Sequence, residues 1–470
     1  MKRAAILFLF LALLLSACGS TGEADAGLDS DRGFIHYGLM EGVCATQDTV
    51  YFTSGDLIHY YEKATGISGV LCGKAECEHS TAADSTCNAY IGSFFRVQIY
   101  NGRLYWIKWV GSRMQICSMA LDGTDHRTDR TVEAGFFASH TGNRSAIFHR
   151  GALYIWIEEY AITNGVETAS FDMAVVPLDP DEEPYMLFQE ELSSWATQYG
   201  PNVTMQAYQD SVYLITSIAG SCENTPSGAP DFYDLQIRRY NAAAGELTTL
   251  YHDRESPIRY TVEMWATDDG ILFLGDGQGH PYLYWLDGES GRLSARFDND
   301  HFAVYITEDL VISSRYGSER SNPSNPWGFT LAPQDIERTG ELQVLLRNFA
   351  GEVLLDEAYP LSGRLGRADF CGTDGTYAYF LSTASFDGNS GSTQYISLIG
   401  VALDGSGAEV LCTEEEYLAS NSAGNTMSVT FDDGTTVTVE NYEKITVIPG
   451  DGGEKVTMTV EELLENGYHG

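Results

Sequence analysis

Short apolar and aromatic runs, each introduced by a turn residue, recur along most of the chain. They start with Asp or Gly and continue with segments such as Val-Tyr-Phe or Leu-Tyr-Trp, at intervals of 39 to 66 residues. Runs rich in β-branched and aromatic residues and bounded by Gly or Asp are typical of β-strands. The seven predicted strands cover residues 48–52, 102–106, 151–155, 210–214, 270–274, 309–312 and 375–380.

These runs are followed by a second hairpin, which reverses at a polar turn. Most of these turns contain Gly after Asp or a small residue, and Gly tolerates the positive φ of a tight reversal. They occupy residues 61–66, 121–124, 240–245, 286–291, 348–351 and 403–407. Two hairpins form a four-stranded antiparallel sheet, and seven sheets of about 50 residues are typical of a β-propeller. A β-sandwich or an open solenoid is the alternative, but a sandwich would not divide its strands into regular units of four.

The pattern therefore predicts an all-β protein, with a seven-bladed β-propeller of four-stranded antiparallel blades over residues 34–415. Residues 34–40 form a further predicted strand that closes the ring by joining the last blade. Residues 416–470 contain short strand-like runs, and Thr459-Val460-Glu461-Glu462 follows the capping-box order of a helix start. We expect a small C-terminal subdomain of β-hairpins ending in a short helix. An eighth, irregular blade is the alternative.

The N-terminus predicts export and lipidation. Lys2 and Arg3 precede an apolar run over residues 4–15, which is too short to span a bilayer as a mature helix. Leu15-Ser16-Ala17-Cys18 matches a bacterial lipobox, in which the cysteine becomes lipidated after cleavage. We predict a lipoprotein signal peptide over residues 1–17, lipidation at Cys18 and a flexible tether over residues 18–33. The mature protein is then extracytoplasmic and anchored to the bacterial cell membrane by its lipid.

Composition narrows the class of ligand. The net charge of −39 argues against nucleic acid, whose phosphates require Lys and Arg. The function predicted is a ligand-binding or protein-interaction module for a carbohydrate, a peptide or a surface protein. Trp106, Trp109 and Trp156 are candidate stacking residues, although packing between blades is the commoner use of such side chains.

The alternative function is a carbohydrate-active propeller enzyme, a glycosidase or lyase, that uses paired carboxylates. The acidic stretches that offer such pairs are residues 158–159, 179–183 and 298–300. No Gly-x-Ser-x-Gly elbow and no His-Glu-x-x-His motif occurs in the sequence. The sequence therefore assigns no catalytic residue, and we consider an enzyme the less favoured hypothesis.

Metal-binding and redox chemistry are concentrated in one stretch, where Cys72, Cys77, His79 and Cys87 fall within sixteen residues. Three thiolates and an imidazole are by type a closed structural zinc set, but this spacing is not a common zinc-finger spacing. Export instead favours disulfides, with two of the three cysteines paired and the third bonded to Cys44 or Cys117. We favour the disulfide interpretation, with structural zinc second and free thiols third. No other cofactor is expected.

The same stretch carries a resemblance to a known group of proteins. The run from Cys72 to His79, with Cys87-Asn88-Ala89-Tyr90 after it, resembles a signature of uncharacterised lipoproteins from gut-dwelling Gram-positive bacteria. A Pro often stands in that group where this chain has Ala75. The resemblance implies a lipid-anchored surface β-propeller of unassigned activity, and it supplies no catalytic residues.

Overall fold

A computed structural model describes most of the chain from Val43 to Thr459. The described residues are 43–54, 56–79, 86–91, 97–110, 113–133, 146–163, 166–192, 201–221, 230, 232–277, 280–298, 303–307, 310–318, 338–363, 365, 367–388, 391–419, 426–430, 436–440, 444–448 and 456–459. Among them no helix is long and apolar enough to cross a membrane.

The described residues form four-stranded antiparallel sheets in which each strand pairs with the next along the chain. Seven of these sheets are the blades of a β-propeller. Their strands are, for blade 1, β1 Val43–Ala45, β2 Thr49–Ser54, β3 Leu57–Glu62 and β4 Ile67–Val70; for blade 2, β5 Gln98–Tyr100, β6 Arg103–Val110, β7 Arg113–Ala120 and β8 Arg127–Val132; for blade 3, β9 Ala146–His149, β10 Ala152–Thr163, β11 Val166–Pro177 and β12 Tyr185–Leu192; for blade 4, β13 Asn202–Tyr208, β14 Ser211–Ser221, β15 Phe232–Asn241 and β16 Glu246–Ser256; for blade 5, β17 Ile258–Ala266, β18 Gly270–Gly277, β19 His280–Asp287 and β20 Leu293–Asp298; for blade 6, β21 Ala303–Thr307, β22 Leu310–Ser318, β23 Arg338–Asn348 and β24 Val353–Gly363; and for blade 7, β25 Arg367–Thr373, β26 Tyr377–Gly388, β27 Gly391–Ala402 and β28 Ala408–Ala419.

The blades form a closed ring. The first strand of each blade contacts the first strand of the next, and β25 of blade 7 contacts β1 of blade 1. The seven-bladed propeller is therefore confirmed, and each of the seven predicted runs contributes the second strand of a blade. The predicted closing strand at residues 34–40 lies outside the described residues. The four described strands of blade 7 all come from residues 367–419.

In several blades the turn between the third and fourth strands contacts the preceding blade. In blade 2, Gly123 has a φ of +78°, and a Cβ there would lie 3.0 Å from the backbone of Leu71 in blade 1. The glycine is thus required both by its backbone conformation and by the close approach. The Asp-Gly turns at Gly123 and Gly405 both make such a contact with the preceding blade.

Blade 3 makes the same contact by a different means. Its turn contains no Gly, and Arg130 of blade 2 instead donates hydrogen bonds to the backbone carbonyl oxygens of Pro177 (2.7 Å), Asp179 and Glu182. The glycine pattern in the sequence could not reveal this turn because an arginine from the neighbouring blade holds it.

Buried polar side chains connect the first strands of blades 4 and 5. The Asn202 side-chain oxygen accepts hydrogen bonds from the Thr261 backbone N–H at 2.7 Å and from the Thr261 hydroxyl at 2.8 Å. The Gln206 side-chain oxygen accepts one from the Ala266 N–H at 2.7 Å. The first strands of two blades belong to separate sheets and do not pair with each other, so these side-chain amides satisfy the backbone N–H groups of Thr261 and Ala266. Their role here is to join blades.

The second compact unit of the chain includes Glu415–Gly470. Its described sheet is formed by β29 Thr426–Thr430, β30 Thr436–Glu440, β31 Lys444–Ile448 and β32 Val456–Thr459, in chain order. Each of these strands overlaps one of the short strand-like runs predicted within residues 416–470. The predicted short helix follows β32 and lies outside the described residues.

Candidate metal centre

The cysteine cluster lies in the connection from β4 of blade 1 to β5 of blade 2. The Leu71 N–H donates to the Ile58 carbonyl at 2.8 Å, and the Ile58 N–H donates to the Ala89 carbonyl at 2.9 Å. The Ile91 N–H donates to the Asp56 carbonyl at 2.8 Å. Residues 71 and 89 therefore flank the start of β3, which brings Cys72 next to Cys87.

The cluster has the dimensions of a four-coordinate metal site. The sulfur atoms of Cys72, Cys77 and Cys87 and a ring nitrogen of His79 all lie within 4.8 Å of one another. The Cys87 Sγ is 3.6 Å from the His79 Nδ1. In a tetrahedral zinc site the metal–ligand bond lengths place ligand atoms about 3.6 to 3.8 Å apart. This group of side chains can therefore hold a metal ion.

The backbone of His79 is unusual in a way that fits a constrained site. Its φ is +52°, a left-handed conformation that few non-glycine residues adopt. Such conformations persist only where the surroundings impose them, and they concentrate at functional sites. Cys87 is buried, and the other three side chains are half-buried.

Hydrogen bonds from the backbone support a thiolate at Cys72. Burial raises the pKa of the Cys72 thiol, but hydrogen bonds from the backbone N–H groups of Lys74 and Asn88 outweigh it, and its pKa lies below the ordinary value. Burial, together with the adjacent Cys77 and Cys72 sulfurs, raises the pKa of Cys87 to about 12. Negative charge in the cluster is thus carried most easily by Cys72. A bound cation would relieve the mutual repulsion of further thiolates.

The disulfide interpretation receives no support from this geometry. Cys72 and Cys77 are free thiols, as are Cys44 and Cys117, the two cysteines suggested as partners for the cluster. The His79 imidazole lies within 4.8 Å of all three sulfurs, which a disulfide would not require. The geometry is compatible with a bound metal ion, and disulfide formation stays a prediction for thiol titration to decide.

One residue close to the cluster had no signal in the sequence. The buried His59 of β3 lies 3.7 Å from Glu414 of blade 7. Burial lowers the pKa of His59, Glu414 opposes this effect, and the charge of His79 lowers the pKa further. The two imidazoles are therefore close enough to influence each other, although twenty residues separate them in the sequence.

Two of the three candidate stacking tryptophans are buried in the propeller. Trp106 is 1% exposed and Trp156 is 2% exposed, so both pack between blades and are unavailable to a ligand; the side chain of Trp109 is not described. Asp179 lies in the outer turn that Arg130 binds. The side chains of residues 158–159 and 298–300 are likewise not described. Cys18 lies outside the described residues.

Comparison with known proteins gives no family. No protein-family model matches the sequence, and no curated protein matches it. A structure from an analysis of two prolyl endopeptidases is 10% identical, covering 94% of this chain and 58% of its own, with a TM-score of 0.42. The chain thus spans less than two thirds of that peptidase.

Two similar structures are covered over more of their own length. The uncharacterized protein lmo1340 from Listeria monocytogenes EGD-e is 9% identical, covering 77% of this chain and 94% of its own, with a TM-score of 0.37. The Dos1 propeller is 11% identical over 88% of each chain, with a TM-score of 0.36. At these identities and TM-scores the similarities carry no argument about activity or ligand.

Proposed function

We propose that this chain is a lipid-anchored, extracytoplasmic protein whose propeller acts as a ligand-binding or protein-interaction module. The lipobox at Cys18 and the polar tether after it support the anchor. The observation that carries the binding role is the unequal length of the hairpins between second and third strands. Hairpins of varied length on a rigid scaffold are the usual place of recognition in such folds.

Blades 3 and 5 show this difference most clearly. In blade 3, β9 pairs only with Ala152–Ile155, whereas β10 continues to Thr163, so the β10–β11 hairpin extends well past the first strand. In blade 5, β17 pairs with β18 along its whole length, from Ala266 to Ile258, and no hairpin projects. In every blade the connection between the second and third strands emerges on the same side of the ring. One face therefore carries projections of different heights around the axis.

The anchor is tested with Cys18→Ala in the full-length chain, because a lipobox without its cysteine cannot be acylated. The wild-type protein should sediment with membranes and carry a lipid-modified N-terminal cysteine by mass spectrometry, and the variant should not. Ser20→Ala, in the same tether, is the matched control and should behave as wild type. Equal membrane association of Cys18→Ala and wild type would contradict the anchor.

The binding role is tested with glycan and peptide arrays. A variant in which the β10–β11 hairpin is shortened by residues 158–169 should lose binding that the wild type shows, while its unfolding temperature stays close to wild type. Cleavage of an arrayed glycan by the wild type would instead support the carbohydrate-active enzyme. Binding that survives removal of the hairpin would place recognition on another part of the protein.

We also propose that the ion held by the cluster is Zn²⁺. Cys72, Cys77, His79 and Cys87 provide four protein ligands, and such closed sets are structural because no position is left for water or substrate. Elemental analysis of the wild-type protein purified under a reductant should find one zinc per chain. The same measurement on the Cys77→Ser variant should find no zinc. Quantitative recovery of disulfides and no zinc would establish the disulfide interpretation instead.

A further inference from the structure

We propose that the metal centre is a clasp that joins blade 1 to blade 2, so that metal occupancy determines the stability of the seam between these two blades. The seam is the contact of residues 71–73 and 87–91 with the turn at residues 121–124 and with strands β6 and β7 of blade 2. This inference rests on the proposed zinc ion. It extends that proposal from the loop that contains the ligands to a second blade that contains none of them.

The polar contacts of the seam involve the neighbours of two ligands. Gly73, next to Cys72, donates its backbone N–H to the Gly123 carbonyl at 3.0 Å. Asn88, next to Cys87, donates its side-chain N–H to the same carbonyl at 2.8 Å. One acceptor in blade 2 thus receives hydrogen bonds from both ends of the metal-binding segment. Any movement that separates Cys72 from Cys87 would break at least one of them.

The acceptor is held in a rigid turn. The Asp122 carboxylate accepts hydrogen bonds from the Thr124 N–H at 3.0 Å and from the Thr124 hydroxyl at 2.5 Å. The Gly123 N–H donates to the Ala120 carbonyl at 3.0 Å. Blade 2 therefore presents a fixed carbonyl, and the position of the segment from blade 1 decides whether it is satisfied.

Apolar packing follows the same line. A single hydrophobic cluster contains Cys87, Ala89 and Ile91 from the segment together with Trp106 and Met119 of blade 2. All five are buried, and Trp106 is among the largest fully buried side chains. Loss of the segment would expose this indole and adjacent apolar surface to water, which is unfavourable.

Blade 1 needs a clasp because its own strands are short. Its first strand β1 has three residues and its outer strand β4 has four, whereas the outer strands β16, β24 and β28 of other blades have eleven or twelve. The segment after β4 takes the place of a long outer strand. Among its described residues, the regular strand pairing is one isolated bridge, from Leu57 to Tyr90. A segment with so little regular strand pairing gains stability from a bound metal, which adds its binding free energy to folding.

The experiment is hydrogen–deuterium exchange of the full-length protein under a reductant, as purified, after EDTA, and after Zn²⁺ is added back. Removal of zinc should accelerate exchange about tenfold or more in residues 71–79 and 86–91, and also in residues 113–124 of blade 2. Strands β17 to β20 of blade 5 are the internal control and should not change. Added Zn²⁺ should restore protection in both blades.

A matched variant separates the seam from the site. Asn88→Ala removes a seam hydrogen bond but no ligand, so it should still bind one zinc while residues 113–124 exchange faster than in wild type. EDTA-induced exchange confined to residues 71–91 would refute the clasp and leave the zinc proposal intact. Absence of zinc from the purified protein would refute both. The chelation experiment on wild type decides the matter even if ligand variants fail to fold.

Discussion

An ion pair joins the first and last blades of the ring. Lys63 follows β3 of blade 1, and its Nζ lies 2.7 Å from the Asp374 carboxylate of blade 7. The same ammonium donates a hydrogen bond to the Thr46 carbonyl at 2.8 Å. The side chains are only 17% and 15% exposed. We predict that Lys63→Met destabilises the closure more than loss of an exposed ion pair would.

The magnitude follows from the protonation of Asp374. Burial raises the pKa of this carboxyl, but hydrogen bonds from Lys63, the Tyr377 and Thr376 N–H groups and the Tyr379 hydroxyl outweigh it and hold the pKa at about 2. A shift of nearly two units corresponds to about 2.5 kcal/mol in total. Lys63 supplies part of this, and solvent screening reduces it further. We therefore expect Lys63→Met to cost about 1.5 kcal/mol of unfolding free energy.

The loss stays below the roughly 3 to 5 kcal/mol typical of breaking a buried pair, because Asp374 keeps its other donors. The Tyr379 hydroxyl still donates to it at 2.7 Å, and the Tyr377 N–H at 2.8 Å. The sign of the pH dependence is also determined. Since the folded pKa lies below the unfolded value of about 3.9, the stabilisation is complete above about pH 5 and disappears as the pH falls toward 2.

The assay is urea denaturation followed by tryptophan fluorescence, at pH 7 and at pH 3. The matched control is Arg113→Met, because Arg113 and Glu133 form a 3.0 Å pair that is 59% and 72% exposed. Exposed pairs contribute about 0 to 1 kcal/mol. The difference between Lys63→Met and wild type should shrink at pH 3. Equal unfolding midpoints for Lys63→Met and Arg113→Met at pH 7 would refute the reasoning.

Three further predictions concern stability. His149 is fully buried, and burial together with Arg150 lowers its pKa to about 4. The urea midpoint of the wild type should therefore fall as the pH drops from about 6.5 to 4, and His149→Gln should flatten this dependence. Gly123→Ala should lower the free energy of unfolding by about 2 kcal/mol or more in thermal unfolding, because it adds a steric clash to a positive φ. Gly66→Ala, in open space at φ +70°, should lower it by about 1 kcal/mol. Arg130→Met should cost about 2 to 3 kcal/mol in urea denaturation, because three carbonyl groups lose a charged donor.

Much of the propeller was predictable because its signals are local. Each second strand combines an apolar run with a turn residue directly before it, and both are visible in a window of ten residues. The turn of blade 3 was not predictable in this way. Its partner, Arg130, lies about fifty residues earlier and in another blade, and nothing in the turn itself indicates an arginine.

The metal centre also combines features that the local sequence determines with features that depend on distant residues. The sequence determined that Cys72, Cys77, His79 and Cys87 lie close along the chain, and their types limited the chemistry to disulfide or metal. It also determined the lipobox and the alternation of strands and turns, since these depend on neighbouring residues. Export, together with a spacing that is uncommon among zinc fingers, then favoured the disulfide.

Only the tertiary structure decided how the four side chains meet. The pairing of Ile58 with Leu71 on one side and Ala89 on the other brings residues 72 and 87 together, and a spacing of fifteen residues by itself permits many separations. The same folding places the cluster against Gly123 of blade 2. Contacts between blades join residues that are distant in sequence. Their geometry is therefore a property of the closed ring and of no single repeat.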